Sequence, residues 1–327
     1  MTSETRRGHL AHAALVLDLD RRRFLFVTGK GGVGKSTVCA ALATALAADG
    51  KRVLVATTSA KERISELLGT APLDAQIREL LPNLSGVALD VQVALREYGQ
   101  LKLKSRILVD ALFDNRYVQG FFAGAPGLKE WALLGKAWYH SIEEVSGRPR
   151  FDVVLFDAPA TGHGLDMLRV PKVIVELAPP GVLRADAERA WTMFRDPRQS
   201  GVVVVTLPEE LPVNETEELS RSLAEELRLP VAALVVNCLR SELFDAASRA
   251  ALTPLARDLP LAPEPGSEAL AAGVRRAVRE RIQTNCRERL RALGHAELEL
   301  PLLLGGASSH ETIGVLAQRF AASWRAA

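Results

Sequence analysis

"FVTGKGGVGKSTVCAAL", residues 26–42, decides how the rest of the chain is read. An apolar, β-leaning run is broken at Gly29, glycines crowd the next few positions, and apolar residues then recur at helical spacing until Gly50. The pattern predicts a strand, a Gly-rich loop and a helix. Gly29, Gly34, Lys35 and Ser36 satisfy G-x-x-x-x-G-K-[ST]. In that motif backbone N–H groups wrap phosphates, the lysine reaches the terminal phosphates and the hydroxyl ligates Mg²⁺. Gly29, Lys30, Gly31, Gly32, Val33, Gly34, Lys35, Ser36 and Thr37 are therefore the candidate nucleotide-binding segment, with Ser36 also a candidate metal ligand.

Working outward, "VLVAT" at 53–57 predicts a second buried strand, and the runs beginning at 151, 201 and 231 predict three more. Continuous apolar strands separated by helices imply an α/β fold, a doubly wound, mostly parallel sheet covered on both faces. Residues 1–327 are read as one such domain. Two stretches break its rhythm. Residues 74–148 carry helical patterns without a convincing buried strand, which predicts an inserted α-helical subdomain. Residues 169–200 predict a short helical insertion, either a lid or a crossover. "LPLAPEPGS" at 259–267 reads as a loop.

Composition narrows the classes. Hydrophobic residues make up 48% of the chain, enough for a substantial core. A net charge of +2 calls for no polyanionic partner, so nucleic acid is not expected. Cys39, Cys238 and Cys286 stand far apart, which argues against disulfides, zinc and iron–sulfur clusters and favours a reducing cytoplasm. The N-terminal stretch, two Arg runs around a short apolar segment, reads as lead-in structure and not as a signal. No window approaches a membrane span, so membrane contact is expected to be at most peripheral.

Lys30 is a second lysine in a loop that needs one. It cannot easily fold back onto phosphates already held by Lys35 and the backbone, so it is expected to point outward. From there it would reach the phosphates of a second subunit docked face to face, as an arginine finger does in trans. A solvated surface lysine is the alternative.

G-K-G-G-V-G-K-S-T resembles the deviant Walker A motif of the dimeric P-loop ATPases, which include MinD, ParA, nitrogenase iron proteins and the arsenite-pump and tail-anchored-protein-targeting ATPases. "FDAPATGHGLDML" from Phe156 is similar to switch II of the ArsA and GET-pathway branch, with Asp157, Thr161, Gly162, His163 and Leu165 on matching positions. "VTLPEELPVNETEEL" matches that branch's P-E and E-T-E-x-L through Glu209, Glu215, Thr216 and Glu217. "VVNCL" and "LPLAPEPGS" resemble its adenine-binding asparagine and base-closing loop, here Asn237 and Pro263. "APGLKEWALLGK" resembles its P-G-x-x-E segment. The resemblance runs in order from about residue 24 to 325. It implies ATP or ADP with Mg²⁺, Asp157 holding the ion through water, Asn237 reading the adenine edge, His163 as a conformational element and Glu209 as a dimer-interface position. The implied partner is a second copy of the chain or a related ATPase subunit, with an unidentified client protein.

Switch I departs from the resemblance. Gap-free alignment sets "TTSAKERISELLG" against S-T-D-P-A-H-S-L-S-D-x-F-G, so the water-positioning aspartate falls on Ser59, the proline on Ala60 and the histidine on Glu62. Serine holds a water but does not take its proton at neutral pH. The candidate catalytic residues are thus Lys30, Lys35 and Ser59, with three outcomes open: slow ATP hydrolysis with Glu62 substituting, a nucleotide-gated adaptor that barely hydrolyses, or half of a heterodimer whose partner supplies the carboxylate. A MinD/ParA-like positioning ATPase is a further alternative. The chain has three methionines, too few for a Met-rich client groove, and no clustered cysteines for a metalloid. Phe113, Phe121, Phe122, Leu128, Trp131, Leu134 and Trp138 would line a smaller groove or pack as a core. The last helix, with Ile313, Leu316, Phe320 and Trp324 on one face, would dock on the sheet or lie on a membrane.

Overall fold

The computed structural model describes residues 17–58, 62–103, 127–159, 163–258 and 267–325. Its main sheet has eight strands in the order β10-β9-β8-β1-β7-β2-β4-β3. The five strands expected from the sequence are β1 (Phe24–Gly29), β2 (Val53–Thr57), β7 (Val153–Asp157), β8 (Ser200–Thr206) and β9 (Val231–Leu239). All pair in parallel, and β10 (Glu297–Pro301) extends one edge in the same sense.

The other edge differs from the sequence expectation. β3 (Arg78–Leu81) and β4 (Leu84–Ala88) form an antiparallel hairpin, and β4 pairs in parallel with β2. The helical part of the 74–148 stretch therefore starts only at α3 (Val91–Leu103), after α1 (Lys35–Ala48) and α2 (Ile64–Leu68). Periodicity missed the hairpin because β3 is an edge strand with half-exposed side chains, so no continuous apolar run marks it. Its turn is made at Asn83, whose φ of 64° suits asparagine. α4 (Leu128–Ile142) follows, and the small hairpin of β5 (Glu144–Val145) and β6 (Arg148–Pro149) leads into β7. Phe113, Phe121 and Phe122 lie outside the described residues.

Strand alternation builds two cores. Leu25, Val27, Val55, Leu155, Val203 and Val205 face one side and pack with the Ala-rich α1 and with α10 (His310–Arg325). Phe24, Phe26, Leu54, Phe156, Val202 and Val204 face the other, beneath α4, α5 (His163–Leu177) and α6 (Val182–Arg195). α5 and α6 pack on each other and stand in sequence between β7 and β8, the two strands that flank β1. α7 (Glu210–Arg221) continues through a π-helical turn to Leu227, and α8 (Ala246–Leu252) and α9 (Glu268–Arg291) precede β10.

Ile313, Leu316 and Phe320 of α10 are buried against α1, and the Trp324 indole donates to Asp49. The apolar face of the last helix is thus occupied by the sheet layer. Among the described residues no helix is long and apolar enough to cross a membrane.

Candidate functional site

The site forms where parallel strands end. Gly29, Thr57, Asp157 and Thr206 close β1, β2, β7 and β8, and Asn237 lies near the end of β9. The carboxyl ends of an α/β sheet are where such folds present ligand groups. β1 lies between β7 and β8, so the loop after it, residues 30–34, rises between the Asp157 and Thr206 ends.

Two glycines make that loop possible. At Gly29 φ is 150°, and a Cβ would lie 2.1 Å from the Val205 carbonyl oxygen. At Gly34 φ is 90°, and a Cβ would lie 2.4 Å from Nδ2 of Asn237. Any other residue would push the loop off the sheet. Gly34 also caps α1, accepting from the Val38 N–H at 2.9 Å. The first N–H groups of α1 therefore lie outside the helical ladder and, with the helix dipole, form a seat for an anion.

Lys35 is buried, and its Nζ donates to the Lys30 carbonyl at 3.0 Å. Burial lowers the pKa of its ammonium, against the pull of the Asp157 carboxylate. Ser36 Oγ donates to Asp157 Oδ2 at 2.8 Å, while Asp157 Oδ1 is buried with no hydrogen-bond partner. Burial pushes the Asp157 carboxyl up to about 6, opposed by Ser36, Lys35 and Thr57, with Glu62 adding to the rise. A buried carboxylate with one bare oxygen beside a serine hydroxyl fits a divalent cation, which favours the ionised form that burial disfavours.

Lys30 has a partner inside its own chain. Its Nζ contacts Glu215 Oε1 on α7, forming a half-buried ion pair. The sequence marked Glu215 only as part of E-T-E and gave it no task; the signal was its position just inside the helix after β8, opposite a loop carrying one surplus cation. Asn237 donates from Nδ2 to the Val33 carbonyl at 2.9 Å and accepts the Cys238 N–H on Oδ1 at 2.9 Å. Its amide braces the P-loop and keeps one N–H and one lone pair for another group. Glu209 is exposed and precedes α7 as its N-cap residue. It lines a cavity of about 440 Å³ with Cys238, Arg240 and Gln283 beyond the ends of β8 and β9.

Glu62, the residue offered as a substitute for the switch I aspartate, sits at the start of α2. Its carboxylate accepts the Ser65 N–H at 2.8 Å and the Ser65 hydroxyl at 2.6 Å, capping α2. Ser59, Ala60, Thr161, Gly162 and Pro263 lie outside the described residues; His163 opens α5. The sequence gave no hint that Glu280, fully buried on α9, accepts the Leu243 and Phe244 N–H groups and, with Gln283 on Arg240, fixes the chain leaving β9.

Comparison with known proteins agrees with this geometry. Residues 22–178 match the model of the anion-transporting ATPase family. The ATPase BagA of Mycobacterium tuberculosis is 33% identical over 221 residues, which are 66% of this chain and 64% of that one. A putative arsenical pump-driving ATPase of Halobacterium salinarum is 30% identical over 230 residues, 65% of this chain and 34% of that protein. The ATPase GET3 of Kluyveromyces lactis is 25% identical over 258 residues, 68% of this chain and 74% of that one. The chain thus spans 64% of the mycobacterial relatives and about a third of the arsenical pump-driving one. Over that span it is homologous to ATPases of the ArsA and GET3 type.

Proposed function

We propose that this chain is a Mg²⁺-dependent ATP-binding switch that hydrolyses ATP slowly and acts as a dimer, with itself or with a related ATPase subunit. The observation that carries the reading is the Ser36–Asp157 pair under the P-loop, with one carboxylate oxygen buried and bare. Ser36 and Asp157 would hold Mg²⁺, which when bound offsets charge on the phosphates. The α1 N–H groups and Lys35 would orient the phosphates, and the remaining N–H and lone pair of Asn237 would meet the adenine edge, with the loop containing Pro263 closing on the base. Thr161, Gly162 and His163, directly after the Asp157 strand, would report the phosphate state to α5.

Lys30 supports a two-state subunit. In the single chain its charge is matched by Glu215; in a face-to-face dimer it would leave Glu215 for the partner's phosphates. A second reading, an adaptor that binds nucleotide but barely turns it over, draws on Glu62 being committed to its helix cap. Calorimetric titration with Mg-ATP alongside phosphate release separates the two: binding with slow release supports the switch, and binding with no release supports the adaptor. Lys35→Ala is expected to abolish both signals. Sedimentation with a non-hydrolysable ATP analogue should show a wild-type dimer that Lys30→Ala fails to form; a monomer in both would remove the dimer from the reading.

A further inference from the structure

Asn237 sets the direction of a phosphate-loop peptide. The residue is buried, and its Nδ2 donates to the Val33 carbonyl at 2.9 Å. A peptide unit is planar and trans, so its carbonyl and its N–H point in opposite directions. With the Val33 carbonyl turned onto Asn237, the Gly34 N–H points away from it, within the loop whose N–H groups would seat an anion. The amide also cannot be turned over. Its Oδ1 accepts the Cys238 N–H at 2.9 Å, and a flipped amide would set donor against donor at Cys238 and acceptor against acceptor at Val33.

What holds Cys238 in place lies on another element. Its φ is 58°, a left-handed conformation that L side chains rarely adopt and glycine adopts freely. The chain beyond it is clamped by α9. Buried Gln283 accepts the Arg240 N–H on Oε1 and donates from Nε2 to the Arg240 carbonyl, both at 2.9 Å. A side chain thus makes the two-bond exchange of a strand pair. About one turn earlier on α9, Glu280 accepts the Leu243 N–H at 2.8 Å and the Phe244 N–H at 3.3 Å, so the clamp continues along the chain that leaves β9.

We propose that Gln283 and Asn237 are positioning residues for phosphate: α9 holds the strained turn at Cys238, the turn holds the Asn237 amide, and the amide aims the Gly34 N–H at the phosphates. The inference rests on the phosphate-binding part of the proposed function and gives Asn237 a task independent of the base.

Calorimetric titration of the full chain with Mg-ATP and with Mg-tripolyphosphate, which carries the phosphates without a base, tests it. Asn237→Ala should weaken tripolyphosphate binding about tenfold, because the Val33 carbonyl loses its partner and the peptide its orientation. Gln283→Met, apolar and of similar length, should weaken both ligands about three- to tenfold. Gln283→Asn, one methylene too short to make both bonds to Arg240, replaces it should the methionine variant not fold, and melting curves confirm folding. Adding Cys238→Gly to Gln283→Met separates positioning from general stability. Glycine takes the left-handed turn without the clamp, so affinity for both ligands should recover toward wild type although the Arg240 bonds stay lost. A wild-type chain that takes up neither ligand overturns the proposed function and this inference with it. Wild-type binding with unchanged tripolyphosphate affinity in folded Asn237→Ala overturns the inference alone and assigns Asn237 to the base. Unchanged affinity in a folded Gln283 variant, or no recovery in the double variant, overturns it too.

Discussion

The two faces of the sheet are built on different terms. The face under α1 and α10 is close-packed, with Ala40, Ala41 and Ala43 fully buried and the strands contributing mostly valine and leucine. The face under α3 to α6 carries Phe24, Phe26, Phe156, Trp131 and Trp138, buried ion pairs and an open cavity. The first face holds the helix whose N-terminus the phosphate loop needs at a fixed height, and small residues allow that close approach. The second face holds α5 and α6, the helices that follow β7, and leaves a cavity between α3 and α4. The small-residue face thus lies behind the candidate phosphate loop, and the face with the cavity holds the helices on the other side of the sheet.

The strongest way to break that contrast is at the loop the rigid face supports. Gly34→Val directs a side chain into the Asn237 amide at a positive φ, and nucleotide affinity in a fluorescent-ATP titration should fall at least a hundredfold, about 2.7 kcal/mol. Asp157→Asn is expected to uncouple stability from function. The carboxyl is near 6 in the folded chain and near 3.9 unfolded, so the unfolded state holds fewer protons between those values. The nucleotide-free protein therefore loses stability as pH rises from about 4 to 6. The substitution should remove that slope and leave the chain up to about 3 kcal/mol more stable at neutral pH, while Mg-ATP binding is lost. Urea unfolding at several pH values reads the difference, and parallel slopes for both proteins would show that burial does not strain this group.

Overpacking tests the contrast directly, at smaller amplitude. Ala41→Leu should cost about 2 kcal/mol of unfolding free energy, because nothing beside α1 can yield. Ala132→Leu projects from α4 into the cavity wall and should cost less than about 1 kcal/mol. Equal losses would mean that the two faces are equally packed.

The strands of the sheet interior and the glycine loop were the legible part. A glycine-spaced loop between an apolar run and a helical repeat is local information, and strands buried on both faces announce themselves as continuous apolar stretches, so β1, β2, β7, β8 and β9 followed from spacing alone. β3 and β4 did not, because β3 is a half-exposed edge strand and Ser85 and Gly86 interrupt the apolar run of the buried β4. Within the site, Lys35, Ser36 and Asp157 came together as the motifs imply. The Lys30–Glu215 pair did not follow from sequence, since its partners are 185 residues apart and no spacing rule links a loop to the flank of a later helix. Asn237 fell between the two cases: its place at the end of β9 was readable, but its brace on Val33 depends on how closely Gly34 lets the loop approach.

The last expected effect concerns the hydrolysis step of the proposed function. Both oxygens of Glu62 serve Ser65 at the start of α2, so under the proposed function Glu62 would have to leave them to stand in for the carboxylate that Ser59 lacks. Under the proposed function, turnover would rest on positioning and on charge stabilisation by Lys35, the α1 N–H groups and Mg²⁺, contributions that carry most of the rate in phosphoryl transfer generally. Restoring a base adds to that without rebuilding it. Ser59→Asp should therefore raise steady-state phosphate release about tenfold, below the roughly 10²–10⁴-fold typical of general-base catalysis because the aspartate is added without the rest of its loop, with Mg-ATP affinity unchanged. A rise in affinity instead of rate would assign position 59 to binding. An unchanged rate would move the slow step from hydrolysis to the conformational change of α5 and the layer around it.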